Sequence, residues 1–438
     1  MLVRLAERIE GLVLRRAPAR GARLFGALPD SALTGLQSAR FRRTIRRAAR
    51  APFYRDAFRR LGIDPVAVRQ PSDLGDFYTT GEDLRAHGVD AFQVGKADTA
   101  FETTGTTSPQ PKRVLFSHGE IDAMGLASAA ALRLLGLGPE DRVLSAFDCS
   151  FWVSPAVLRS ALQYIGCFHV EAGKIDPAEC YDRAPAYRPT VIFGEPSWLV
   201  RFSEIAAQRG AWPIRMLFAG GENLAESARQ LVQQIWSAPL YLNYGQTEAF
   251  GSLGIECREQ AGYHRNDLHF LFETREPDEE GYGELVYTTL TRHVMPLVRY
   301  RAGDVTRLVD EPCRCGLFAR RLARIRARAD EMVVCGMGNV GPWVFDEILR
   351  DVEGAGTDWQ VVVDSNGRFD VLELSLESAD GLSRSALETA VLGNLGKRFP
   401  DFARNLDMGL YELHVSLEPR GALRQGRKLR RIVDIRSR

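Results

Sequence analysis

The chain has 438 residues, 45% of them hydrophobic and 26% charged, with a formal net charge of +1 at pH 7. That length allows about two to four domains, and the composition is that of an ordinary soluble globular protein. A net charge near zero gives no general drive toward nucleic acid or membrane surfaces. No apolar run approaches the ~20 residues that span a bilayer, and the N-terminus lacks a signal-peptide core. Seven scattered cysteines do not make a disulfide framework, so a cytoplasmic location is expected.

Residues 1–60 are rich in Arg, with apolar residues at helical spacing among them. They read as packed helices with a solvated basic face, and helical and loop segments are expected to about Phe92. Residues 103–112 read Thr-Thr-Gly-Thr-Thr-Ser-Pro-Gln-Pro-Lys. Small hydroxyl residues around a glycine suit a loop that wraps polyphosphate with backbone N–H and hydroxyl donors. The candidate contacts are Thr103, Thr104, Gly105, Thr106, Thr107 and Lys112. The Gly-Lys-Ser/Thr ending of a Walker A loop is absent. Basic residues elsewhere are nearly all Arg, and the lysines are Lys96, Lys112, Lys174, Lys397 and Lys428. A lysine retained against that bias marks, in part, places where a compact ammonium is needed.

Short β-like runs follow at Arg142–Phe147, Thr190–Phe193, Ile214–Phe218 and Leu240–Leu242, each leading into a turn and a helical pattern. Strands alternating with helices predict parallel α/β units with ligands at the carboxyl ends of the strands. The last run leads into Asn243-Tyr244-Gly245-Gln246-Thr247-Glu248-Ala249-Phe250, where a tight glycine turn is expected to end the strand. That turn offers an aromatic face (Tyr244), hydrogen-bonding side chains (Asn243, Thr247) and a carboxylate (Glu248), which is what a nucleotide with bound Mg²⁺ requires. From about Gly283 the pattern turns β-rich, with Glu284–Thr289 and Leu297–Tyr300 consistent with a small barrel or meander. From about Glu331 a compact α+β unit is predicted: a strand at Met332–Val334, a helix at Pro342–Val352, a hairpin about Asn366-Gly367, a second helix, and a last strand at Tyr411–Leu417.

Cys313-Arg314-Cys315-Gly316 puts two thiols in a tight turn, and Cys257 and His264 lie upstream. Three sulfurs and an imidazole would make a closed, structural Zn²⁺ set, with free buried cysteines as the alternative. Cys149, Cys167, Cys180 and Cys335 sit in apolar runs and read as core residues.

Taken together, these stretches resemble the adenylate-forming superfamily of acyl-CoA synthetases, peptide-synthetase adenylation domains and luciferases. More narrowly, residues 45–438 resemble its phenylacetate–CoA ligase-like branch. The motifs that carry the likeness stand in order: the 103–112 loop, Ala219-Gly220-Gly221-Glu222-Asn223, Asn243 to Glu248, Arg299-Tyr300-Arg301-Ala302-Gly303-Asp304, Arg328-Ala329-Asp330-Glu331, Gly336-Met337-Gly338-Asn339-Val340, and Arg427-Lys428-Leu429-Arg430. Cys/His clusters like the one above occur in part of that branch.

The resemblance implies an α/β fold. A large N-terminal domain (1–330) of several subdomains, with parallel sheets and a small β-barrel-like part, would bind ATP and a carboxylic acid. A small mobile α+β domain (331–438) would turn about Asp330 and carry the catalytic Lys428. It further implies that Gly221, Glu222, Asn223, Asn243, Tyr244, Gly245 and Gln246 surround the adenine side. Asp304 would hold the ribose hydroxyls and Arg328 the ribose or phosphate. Thr247 and Glu248 would act in catalysis, Glu248 with Mg²⁺. Trp152, Gly220, Ala249 and Phe250 would lie around the acid, for which nearby aromatics favour a flat, aromatic type. The implied reaction makes an acyl-adenylate with ATP and Mg²⁺ and passes the acyl group to the thiol of CoA; a carrier-protein thiol or another acceptor is the alternative, and the assembly expected is a homodimer. Ser108, Arg427 and Ala327 depart from the usual pattern, and Ser108 and Arg427 leave room for a degenerate, non-catalytic nucleotide-binding module.

Overall fold

A short run that is apolar at every position cannot face water on either side, so it belongs in the middle of a sheet covered by helices. In the computed structural model Val191–Gly194 and Met216–Gly220 are buried throughout and lie side by side in parallel. The chain is described except for residues 1, 19, 22, 24–27, 104–110, 223, 225, 318–319, 329–331, 353–354, 379–382, 420–421, 424–429 and 437–438. Thr104, Gly105, Thr106, Thr107, Ser108, Asn223, Asp330, Arg427 and Lys428 thus lie outside the described residues.

Around that pair a nine-stranded sheet is laid out. From one edge the parallel strands are Phe168–Glu171, Arg142–Ser145, Val191–Gly194, Met216–Gly220 and Leu240–Gln246. Gly251–Glu256, Tyr263–Arg265, Arg321–Leu322 and Leu308–Val309 then extend it antiparallel. Local signals set the helices between the strands. Ser117 Oγ accepts from Glu120 N at 3.2 Å, while the Glu120 carboxylate accepts from Ser117 N at 2.8 Å, a reciprocal cap that starts His118–Leu134. Gly166, at φ 80°, ends Ser154–Ile165.

Three expectations change. The strand Leu240–Gln246 does not stop at Leu242. It continues through the polar residues because Asn243 and Gly245 pair with Ile255 and Ser252 of the next strand, a partner that local sequence cannot reveal. The second sheet, Phe270–Arg275, Gly283–Thr289, Tyr300–Thr306 and Ala327–Arg328, is an open four-stranded meander with no closed barrel among the described residues. It stays open because the chain leaves it after Thr306 to place Leu308–Val309 in the large sheet. The N-terminal basic face is also not wholly solvated. Arg40, 1% exposed, bonds the Glu10 carboxylate at 2.6 Å between the helices Leu2–Arg16 and Asp30–Ala48.

The last hundred residues build a separate apolar core from Val333 to Ile432. Its sheet orders Tyr411–Glu418, Asp370–Ser378, Ala355–Ser365 and Ile432–Asp434, with the expected hairpin turning at Gly367 (φ 85°). The main core, from Phe41 to Leu322, also takes in Met408 and Leu410. The two meet at the helix Pro196–Arg209. Arg368 reaches Glu204 at 3.4 Å, and a Cβ on Gly336 would stand 3.3 Å from Ser197 Cβ.

Candidate active site and metal cluster

The carboxyl ends of Met216–Gly220 and Leu240–Gln246 and the near edge of the second sheet enclose one polar centre, Asp304. Its Oδ2 accepts from Tyr244 Oη and from Gln246 Nε2, both at 2.7 Å, and its Oδ1 pairs with Arg328 at 2.8 Å. Gln246 is fixed in turn by Ala302 O and by Tyr287 Oη at 3.2 Å. Burial pushes the Tyr244 phenol well above its ordinary range, and the Asp304 carboxylate adds to that. Tyr244 therefore stays protonated and donates.

Glu248 is the second centre. It is 3% exposed, and one of its oxygens takes both the Lys112 ammonium and the Tyr300 hydroxyl, the latter at 2.9 Å. Burial, the largest single effect, raises its pKa, but the Lys112 charge and the hydrogen bonds from Lys112, its own amide and Tyr300 together hold the carboxyl below its usual range. Arg292, also buried, bonds Glu248 O at 3.1 Å and Leu115 O at 2.8 Å, tying this turn to the strand Arg113–Phe116. Thr103 begins the hydroxyl-rich loop, bonds Lys112 O through its amide at 2.9 Å, and has a buried hydroxyl oxygen with no hydrogen-bond partner among the described residues. An orphaned donor there is consistent with a phosphate contact.

Beside Asn243 and Gln246 opens a cavity of about 830 Å³, mouth included. Phe147, Trp152, Leu158, Phe193 and Phe218 form its apolar walls, and Gly220, Gly221, Asn243, Gly245 and Thr247 its polar end. Phe147 meets Trp152 edge to face at 5.4 Å. Two glycines here are forced by space. A Cβ on Gly245 would lie 2.3 Å from Gly251 O, and one on Gly221 (φ 100°) would press on the Trp152 ring at 3.3 Å.

Some of the candidates lie elsewhere. Ala249 and Phe250 are in the core, with the Phe250 ring 4.2 Å from that of Phe116, and neither lines the cavity. Trp198 is fully buried and stacks on Phe202. The Glu222 carboxylate turns to the start of the helix Pro196–Arg209, where it accepts from Ser197 N and Oγ, each at 3.0 Å. Burial and the neighbouring Glu195 push it up to about 8, although Lys174, which pairs with Glu195, opposes this. Sequence reasoning missed Tyr287, Tyr300, Arg292 and the Lys174–Glu195 pair as site neighbours. Only Tyr300, within the Arg299–Asp304 motif, carried a local signal.

Cys257, His264, Cys313 and Cys315 gather with all ligand atoms within 4.8 Å of one another. Cys257 Sγ and Cys313 Sγ are 3.7 Å apart, and Cys315 Sγ is 3.3 Å from His264 Nε2. That sulfur spacing is far from the ~2.05 Å of a disulfide. It matches the ~3.8 Å edge of a tetrahedron with ~2.3 Å Zn–S bonds. The donor set and its spacing fit a structural zinc.

Residues 96–268 match the family model for AMP-binding enzymes. The chain is 28% identical to a phenylacetate–coenzyme A ligase of Thermus thermophilus over 93% of its own length and 98% of that protein, and 26% identical to the phenylacetate–coenzyme A ligase of Escherichia coli over 79% and 82%. Its fold is that of a 2-hydroxyisobutyryl-CoA ligase solved with 2-HIB-AMP and CoA in the thioesterification state (TM-score 0.76, 21% identity, 93% and 91% covered). The same ligase in its postadenylation state with 2-HIB-AMP aligns at a TM-score of 0.61. Fold, ordered motifs and relatives are those of adenylate-forming enzymes. Over nearly its whole length the chain is similar to the phenylacetate–CoA ligases.

Proposed function

We propose that the protein is an AMP-forming acid–CoA ligase: it activates a carboxylic acid with ATP as the acyl-adenylate and then forms the CoA thioester. The observation that carries the reading is the meeting of Asp304, Tyr244, Gln246 and Arg328 in one hydrogen-bonded cluster, whose Gln246 also lines an apolar cavity. Nucleotide and acid can then be held end to end, which is most of what this kind of transfer needs. In this reading Asp304 accepts from the ribose hydroxyls, and the Tyr244 face and Asn243 border the adenine. Thr103 and its loop, with Lys112, contact the phosphates, and Lys428 neutralises charge between carboxylate and α-phosphate. Glu248, held ionised, is the residue suited to Mg²⁺, which when bound supplies charge neutralisation on the phosphates. A zinc ion held by Cys257, His264, Cys313 and Cys315 would be structural, pinning the antiparallel end of the large sheet.

The C-terminal unit is read as the part that turns between the two half-reactions, about Asp330. The nearness of Gly336 to Ser197, which bonds Glu222, is read as the thiol-transfer arrangement, and the higher TM-score to the thioesterification state supports that reading. A carrier-protein thiol as acceptor and a homodimer remain further proposals of the same reading. ATP–pyrophosphate exchange against aryl and alkyl acids, followed by thioester formation with CoA, is the test. Acid-dependent exchange is expected; none with any acid would leave only a nucleotide-binding module.

A further inference from the structure

A second cavity, about 1220 Å³ with its mouth, lies against the first. The two share four wall residues: Ser128 and Ala131 on the helix His118–Leu134, and Ser252 and Ile255 on the strand Gly251–Glu256. Three of the four are small, so helix and strand narrow to a waist of mostly short side chains between the two cavities. The side with Phe147 and Trp152 is apolar. Beyond the waist, Arg265 and Asp267, each 8% exposed, pair through Nε and Oδ1 at 2.8 Å, while Arg265 Nη1 and Asp267 Oδ2 find no hydrogen-bond partner among the described residues. A buried donor and acceptor left open side by side are costly unless something polar meets them. The wall there carries four carboxylates, each with an arginine partner: Glu10 with Arg40, Asp30 with Arg320, Glu256 with Arg229 and Asp267 with Arg265. A second carboxylate on a ligand would find the wall guanidinium groups of Arg265 and Arg320 already paired; a hydroxyl, which donates and accepts, fits both open atoms.

We infer that the second chamber receives the far end of the acid. The substrate is then an elongated monocarboxylic acid with an apolar body and a neutral hydrogen-bonding group, such as a hydroxyl, at its distal end. This inference rests on the ligase reading and narrows it.

Pyrophosphate exchange with two series of acids tests it. One series lengthens the linker between carboxylate and phenyl ring; the other pairs each acid with its para-hydroxy form. From phenylacetic acid to the longer members kcat/KM should rise about tenfold, and the hydroxyl should add about fivefold more on the long acids. Ala127 lines only the second chamber. Ala127→Phe should erase the gain of the long acids and leave phenylacetic acid unchanged. Arg265→Gln should remove the advantage of the hydroxyl alone; if that variant does not fold, the Ala127→Phe comparison decides. A flat length profile in the parent, or equal losses for short and long acids in Ala127→Phe, overturns the elongated-acid inference while acid-dependent exchange keeps the ligase. Absence of exchange with every acid overturns the ligase reading itself.

Discussion

The Lys112–Glu248 pair is where single side chains matter most, because both groups are withdrawn from water: their side chains are 14% and 4% exposed. Removing one partner of such a pair strands the other, a loss of about 3–5 kcal/mol. Lys112→Ala should therefore lower Tm at pH 7 as well as adenylation. The Glu248 carboxyl is held below its unfolded value, so its contribution is present above the unfolded pKa and is lost as pH falls through the folded one. The Tm gap between parent and Lys112→Ala should accordingly narrow on acidification; a gap independent of pH would contradict the pairing. Glu222 has the opposite sign. Its folded pKa is raised to about 8 from 4.5, so the folded state keeps a proton that the unfolded chain gives up between those values, and stability falls as pH rises through that window. Glu222→Gln, which cannot ionise, should gain Tm over the parent progressively from about pH 5 to pH 8. Equal melting differences at both ends of the window would refute the assignment.

At the scale of elements, the antiparallel end of the large sheet is the weak seam. Tyr263–Arg265, Arg321–Leu322 and Leu308–Val309 are two or three residues long, too short to hold themselves by ladder bonds. Cys257 follows the strand Gly251–Glu256, His264 lies in Tyr263–Arg265, and Cys313 and Cys315 follow Leu308–Val309, so one ion would join two of these pieces to the longer strand Gly251–Glu256. Protein purified without chelator should contain about one zinc per chain, as four ligands make one closed site. Cys315→Ser should lower Tm while leaving the turnover of folded molecules near that of the parent. Fully stable, metal-free protein would remove zinc from the account.

For the whole molecule, the question is whether two half-reactions share one site. In the proposed mechanism Lys428 matters only while the carboxylate attacks phosphorus; afterwards the thiol displaces AMP from a carbonyl carbon. Lys428→Ala should cut pyrophosphate exchange by several orders of magnitude, since one lost charge contact in a dry site is worth a few kcal/mol. Given presynthesised acyl-adenylate, the same variant should still form thioester. Asp330→Pro should show the reverse, because a stiffened hinge blocks rotation and spares the first step. Equal impairment of both halves by Lys428→Ala would mean that the terminal motif is misread. The Arg368–Glu204 pair on the helix Pro196–Arg209, and the packing of Met408 and Leu410 in the main core, are among the contacts that the proposed rotation would break.

The parts of this protein legible in its sequence are those encoded locally. The buried runs at Val191–Gly194 and Met216–Gly220 gave parallel strands, and the Ser-x-x-Glu cap and the Asn-Gly turn fixed a helix start and a hairpin. The ordered motifs carried the family. What tertiary structure decided are pairings between distant segments. The strand through Asn243–Gln246 exists because Gly251–Glu256 lies beside it, and the meander stays open because the chain after Thr306 is captured by another sheet. Phe250 went to the core and Glu222 to a helix cap because their neighbours, Phe116 and Ser197, are more than 20 residues away in sequence. The waist between the two cavities likewise joins a helix and a strand more than 100 residues apart. Local propensity has no term for such meetings; only packing does.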